Sequence, residues 1–121
     1  MGAGTGPFSE PEALALKKNI VEQALDAVIF WHSKANAVYA SECENGILPA
    51  TRTLMNTYAQ AAGYPTVDVF YAYPVTGDAE GWLASIRIPA VTVELSGRET
   101  AEWEKNLAGV RAVMSAYVSP R

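Results

Sequence analysis

One cysteine, one histidine and few basic residues leave this sequence with limited ways to do chemistry. The lone Cys43 rules out an internal disulfide and a cysteine-built structural zinc cluster. The lone His32 rules out any site that needs two imidazoles from one copy of the chain. Lys and Arg number 9 against 13 Asp and Glu, a formal net charge of -4, with Lys17-Lys18 the one adjacent basic pair. A phosphate backbone would find little to hold, so no nucleic-acid partner is expected. No apolar run approaches the roughly 20 residues needed to cross a bilayer, and the first twelve residues lack the basic segment and apolar core of a secretion signal. No membrane partner is expected, and the compartment stays open.

What is present is the balance of an ordinary folded protein: 50% apolar and 18% charged residues in 121. That length carries a real core without a disulfide or metal, so residues 1–121 are expected to form a single domain. Ser9 and Glu12 around Pro11 read as a capping box, and Ala13, Leu16, Ile20 and Ala24 then recur at helical spacing to about Leu25. The apolar run Ala27 to Trp31 suits a strand buried on both faces, with His32 at its end. Ala37 to Ser41 reads as a second strand, followed by a turn at Asn45-Gly46.

A helix then runs from near Pro49 to a stop at Gly63 and Pro65. Val67 to Tyr71 reads as a third strand, Gly77-Asp78 opens a short helix through Ser85, and Ile88 to Leu95 reads as a fourth strand with Pro89 near its start. Ser96 and Glu99 suggest a second capping box, before a helix with Trp103, Leu107, Val110, Met114 and Tyr117 along one face. The alternation predicts an α/β fold, helices packed on the faces of a central sheet. Ligands of such sheets usually sit beyond the C-terminal ends of strands, where His32 and Glu94 both fall.

Taken singly, each candidate also has an ordinary structural reading. His32 could be a hydrogen-bonding residue at a strand end, Glu94 a solvated carboxylate, and Tyr73 part of an aromatic core with Phe70 and Tyr71. Trp82, Trp103 and Tyr117 read most simply as core or interface residues.

Their order along the chain carries more. GPFSEPE, then FWHSKANAVY, then YPVTGDAEGW, then IPAVTVEL resembles the second half of the catalytic domain of zinc carboxypeptidases of the carboxypeptidase A type, and EWEKNLAGV resembles bacterial members. The resemblance spans about Gly6 to Val118. It implies a carboxypeptidase-like fold with a mixed central sheet, present here as a partial domain, and hydrolysis of a peptide bond at a C-terminal residue. Zinc is the implied cofactor, with His32 as a metal ligand. Glu94 is the implied general base and Tyr73 the residue that closes over the substrate. Thr76, Gly77 and Glu80 belong to the implied pocket for the last side chain, where Glu80 falls at the position setting side-chain preference and an acid favours a basic group.

The family's first zinc pair, His-x-x-Glu, and its carboxylate-gripping Asn-Arg motif have no counterpart in these residues. A catalytic zinc takes three protein ligands, so one ligand is expected here and the others are missing. The chain alone is expected to be inactive, its peptide substrate bound only once a complementing N-terminal half or a second copy completes the site. The alternative is a non-catalytic binding or interaction module on the same scaffold. A partial domain is also expected to expose sheet edge and apolar surface.

Overall fold

A computed structural model describes residues 4–118. Four helices and four strands alternate as α1 (Pro11–Gln23), β1 (Val28–Ser33), β2 (Ala37–Ala40), α2 (Pro49–Ala62), β3 (Thr66–Val67), α3 (Ala79–Ser85), β4 (Ala90–Leu95) and α4 (Trp103–Val118). The sheet runs β1-β4-β2-β3. β1 is parallel to β4, β4 antiparallel to β2, and β2 parallel to β3. This is the expected α/β architecture with a mixed sheet. No helix among the described residues is long and apolar enough to cross a membrane.

The period-two alternation of the strands sorts side chains onto two faces. Val91 and Val93 of β4, with Val38 and Ala40 of β2, join Leu54, Met55, Tyr58 and Val113 in the larger core under α2 and α4. Ala90 of β4 instead joins Ile20 of α1 and Leu83 of α3, with Val28 and Phe30 of β1 against them. Each fully buried Leu, Ile, Val or Met contributes about 1.5–3 kcal/mol, so the α2–sheet layer, which holds Leu54, Met55, Val38, Val91 and Val93, anchors the fold.

Several expectations from the sequence are corrected. β1 is an edge strand, half-buried at its start and exposed from Trp31 onward, because β4 is its one partner among the described strands. β3 is two residues long rather than reaching Tyr71: beyond Val67 the chain leaves β2, and Val69 to Val75 line a cleft instead. Neither capping box forms. Ser9 Oγ accepts from the Thr5 N–H and donates to Glu10, the N-cap of α1, which makes no side-chain cap. Ser96 donates its N–H to Glu102, not Glu99, at 2.7 Å, because the chain makes a left-handed step at Glu102 (φ 48) just before α4. The stop of α2 falls where expected, at Gly63 with φ 75 and its N–H on the Ala59 carbonyl.

α4 is rotated relative to the face its large residues mark, of which Val110 still packs against the core. Asn106, Gly109 and Val113 are buried, whereas Trp103 is 66% exposed and Met114 58%. The reason is the ring of Tyr58 on α2, which occupies the space a side chain at residue 109 would need: a Cβ there would lie 2.6 Å from Tyr58 Cζ. Gly109→Ala tests this packing. Alanine is the better helix former by about 0.8–1 kcal/mol, but overpacking of a close contact costs about 1–3 kcal/mol. A net loss of stability in urea denaturation is expected, and an unchanged or higher midpoint would show that ring and helix are not pressed together.

Candidate active site

The in-register pairing of β1 with β4 sets His32 directly opposite Glu94. Both follow the alternation onto the face of Phe30 and Ala90, away from the α2 core. Both strands run the same way, so the two residues meet at the C-terminal end of the pair, where the sheet opens into a cleft of about 780 Å³.

On the other side of β4, Tyr39 of β2 lies opposite Thr92, two residues before Glu94 and on the same face. The segment after β3 supplies the outer wall from Val69 to Val75, and the start of α3 brings Asp78 and Glu80. His32, Glu94, Tyr73 and Glu80 therefore share one cleft, while Thr76 and Gly77 sit in the exposed loop between Val75 and Asp78 and are not among the lining residues. Tyr39, Ser41, Phe70, Tyr71, Asp78 and Thr92 line it as well. Sequence reading passed over these, although the period-two spacings Tyr39/Ser41 and Thr92/Glu94 were the signal; their meeting depends on the strand order.

Glu94 is half-buried, and its Oε2 accepts the backbone N–H of Ala35 at 3.2 Å. Thr92 donates its hydroxyl to Glu80 Oε1, which fixes that carboxylate against the wall. Burial first, then the Glu94 carboxylate and Tyr71, push the Tyr39 phenol above its usual range, so it stays a neutral donor. The rings of Tyr39, Phe70 and Tyr73 form an edge-to-face chain, with centroids 5.6 and 4.8 Å apart, that seats the 65%-exposed Tyr73 over the cleft.

Behind the site lies a buried polar network. The Trp31 indole N–H, next in sequence to His32, donates to Tyr58 Oη at 2.9 Å, and Tyr58 donates to Asn106 Oδ1 at 2.6 Å. Asn106 Nδ2 donates in turn to Tyr64 Oη and to the Ala101 carbonyl. Burial works to raise the Glu102 carboxyl, but the hydrogen bonds it receives from Ser96, Tyr64 and Lys105 outweigh it and hold the group below the ordinary carboxylate range. The network thus ties down the residue beside His32 and the segment just after Glu94.

The implied zinc does not fit the donors this chain supplies. Among the described residues no group of three or more His, Cys, Asp or Glu is placed to hold a metal ion, and a catalytic zinc takes three protein ligands.

No protein-family model matches the sequence, and no curated protein matches it. Among solved structures the chain is similar to the crystal structure of the murein-tripeptide amidase MpaA from Escherichia coli O157, with a TM-score of 0.68 and 21% identity, over 98% of this chain and 46% of that one. At that identity the likeness shows the fold: a carboxypeptidase-like α/β fold, of which this chain spans under half the amidase's length.

The network also makes stability depend on alkaline pH. Burial, against the hydrogen bond from Trp31, pushes the Tyr58 phenol from 10.0 up to about 12. Because its folded pKa is raised, its contribution is intact below pH 10 and is lost between about pH 10 and 12, as the unfolded chain ionises first. Unfolding free energy is expected to fall across that window and to fall less in Tyr58→Phe, followed by denaturation at stepped pH. An identical slope in the variant would remove Tyr58 as the cause.

Proposed function

We propose that this chain is the part of an amide-hydrolase domain of the carboxypeptidase type that carries the general base. The observation that supports it most is the register pair His32 and Glu94 at the mouth of one cleft with Tyr73. On this reading Glu94 takes a proton from the attacking water and returns it to the departing amine. The Ala35 N–H holds one carboxylate oxygen, and the other has no protein donor among the described residues. Tyr73 closes over the bound peptide, and Thr76, Gly77 and Glu80 belong to the pocket for its last residue. His32 would supply one ligand to a zinc only if the remaining donors came from outside these residues. The amidase of like fold is named for a murein tripeptide, a peptide amide of the class this reading implies.

Those donors have a place to arrive. The outer edge of β1 is unpaired among the described strands, Trp31 is exposed beside it, α1 leaves Leu14, Leu16 and Val21 exposed, and Leu25 is exposed just past its end. We propose that a complementing polypeptide segment or a second copy covers this surface. The chain is expected to self-associate as concentration rises, and a monodisperse monomer in concentrated light scattering would oppose that.

The absent donors favour a second reading, a non-catalytic binding module on the same scaffold. One experiment separates the two. His32 is the only imidazole, so its ring resonance is a unique reporter in the labelled chain. Titration with paramagnetic cobalt(II) is expected to broaden His32 first, together with Glu94 and Ala35, and to lose that focus in His32→Ala. Broadening spread over surface acids and unchanged in the variant would sink the hydrolase reading.

A further inference from the structure

We infer that two copies of this chain pair through the outer edges of β1, antiparallel and about a two-fold axis at Trp31, joining their sheets into one. The inference takes from the preceding reading only that this surface is covered, and it names what covers it. β1 has one strand partner among the described residues. Val28 donates its N–H to the Pro89 carbonyl at 2.9 Å. In the parallel ladder Val28, Phe30 and His32 therefore turn their backbone groups to β4, and Ile29, Trp31 and Ser33 turn theirs outward. None of those outward groups has a hydrogen-bond partner among the described residues.

Edge strands are ordinarily guarded by a charged side chain or a proline, and VIFWHS holds no Lys, Arg, Asp, Glu or Pro. In the register centred on Trp31, Ile29 faces Ser33 of the other copy and Trp31 faces its own equivalent. Every outward N–H and C=O within the strand then finds a partner, and a shift either way leaves some unmet. The charges at the two ends of the strand fit this direction and this occupant. Asp26 precedes β1 and Lys34 follows it, and both are exposed. Antiparallel pairing sets Lys34 of one copy opposite Val28 of the other, diagonal to Asp26 on the same face and within reach of a long side chain. The axis repeats that contact, whereas parallel pairing would set like charges together. α4 runs along the same edge: the Trp31 indole donates to Asn106 Oδ1 at 3.3 Å, and Asp26 adds to burial in pushing the Tyr117 phenol up. Trp103 and Met114 of this helix are exposed, so apolar surface accompanies the unpaired edge.

The test is amide hydrogen exchange of the whole chain at low and high concentration, beside sedimentation equilibrium of the chain, Lys34→Asp and Asp26→Lys/Lys34→Asp. A dimer is expected, in which the amides of Ile29, Trp31 and Ser33 slow as concentration rises while those of Phe30 and His32, already bonded to β4, change less. Lys34→Asp is expected to raise the dimer dissociation constant about tenfold and the double variant to return it to within about threefold, in line with exposed charge pairs repeated across the axis. Both residues are exposed and lie outside the strand, so the fold is kept, which circular dichroism checks. A monomer at millimolar concentration, an open-ended assembly, or a double variant that dimerises no better than Lys34→Asp would overturn the inference. So would a dimer in which the three amides still exchange freely, since the copies would then join elsewhere and leave the edge to a different polypeptide. These readouts involve neither metal nor turnover, so their failure is distinct from that of the cobalt titration.

Discussion

The pairing of β4 with strands on both sides is the constraint on which the rest depends. β4 is buried at Ala90, Val91 and Val93 and takes β1 on one edge and β2 on the other. Its register with β1 puts Glu94 beside His32, and its register with β2 puts Thr92 beside Tyr39. A slip of one residue would turn Glu94 into the layer that packs on α2 and bring Val93 to the cleft. The hydrophobic faces of three strands oppose that slip, so the core and the site are fixed by the same alternation.

The polar network on the opposite face reinforces that placement. Trp31 and Ser96 flank the ends of β1 and β4 that carry His32 and Glu94, and both are tied through Tyr58, Asn106 and Glu102 to the two helices behind the sheet. Buried polar groups are tolerated when each finds a partner, and such networks favour one arrangement over near alternatives. Among the described residues two buried hydroxyls lack a partner, Ser41 beside the cleft and Thr51 on α2, and the cleft lining brings several carboxylates together with no Lys or Arg.

The elements were legible wherever a local signal dominates. Gly63 ended α2, and the apolar runs at Val28–Phe30 and Ala90–Val93 formed strands with His32 and Glu94 next to their last residues. Legibility failed where the outcome depends on a distant partner. Val67 to Tyr71 has strand composition, yet only Thr66 and Val67 pair with β2, and Phe70 stacks on Tyr39 in the cleft wall. The large residues of α4 marked one face, but the small Gly109 decided it, because Tyr58 needed the room. Ser9 and Ser96 each found nearer or better placed carboxylates than the capping pattern supposes.

By itself, the sequence determined the alternation of helices and strands, the strand ends that carry His32 and Glu94, and the want of a second imidazole, because these follow from composition and from spacing within one element. Only the tertiary structure decided that those two residues stand opposite each other, that Tyr39, Ser41 and Asp78 join them around one cleft, and that β1 has one strand partner among the described residues. Each of these depends on strand order and register, which are set by how faces bury against one another across the fold rather than by any run of neighbouring residues.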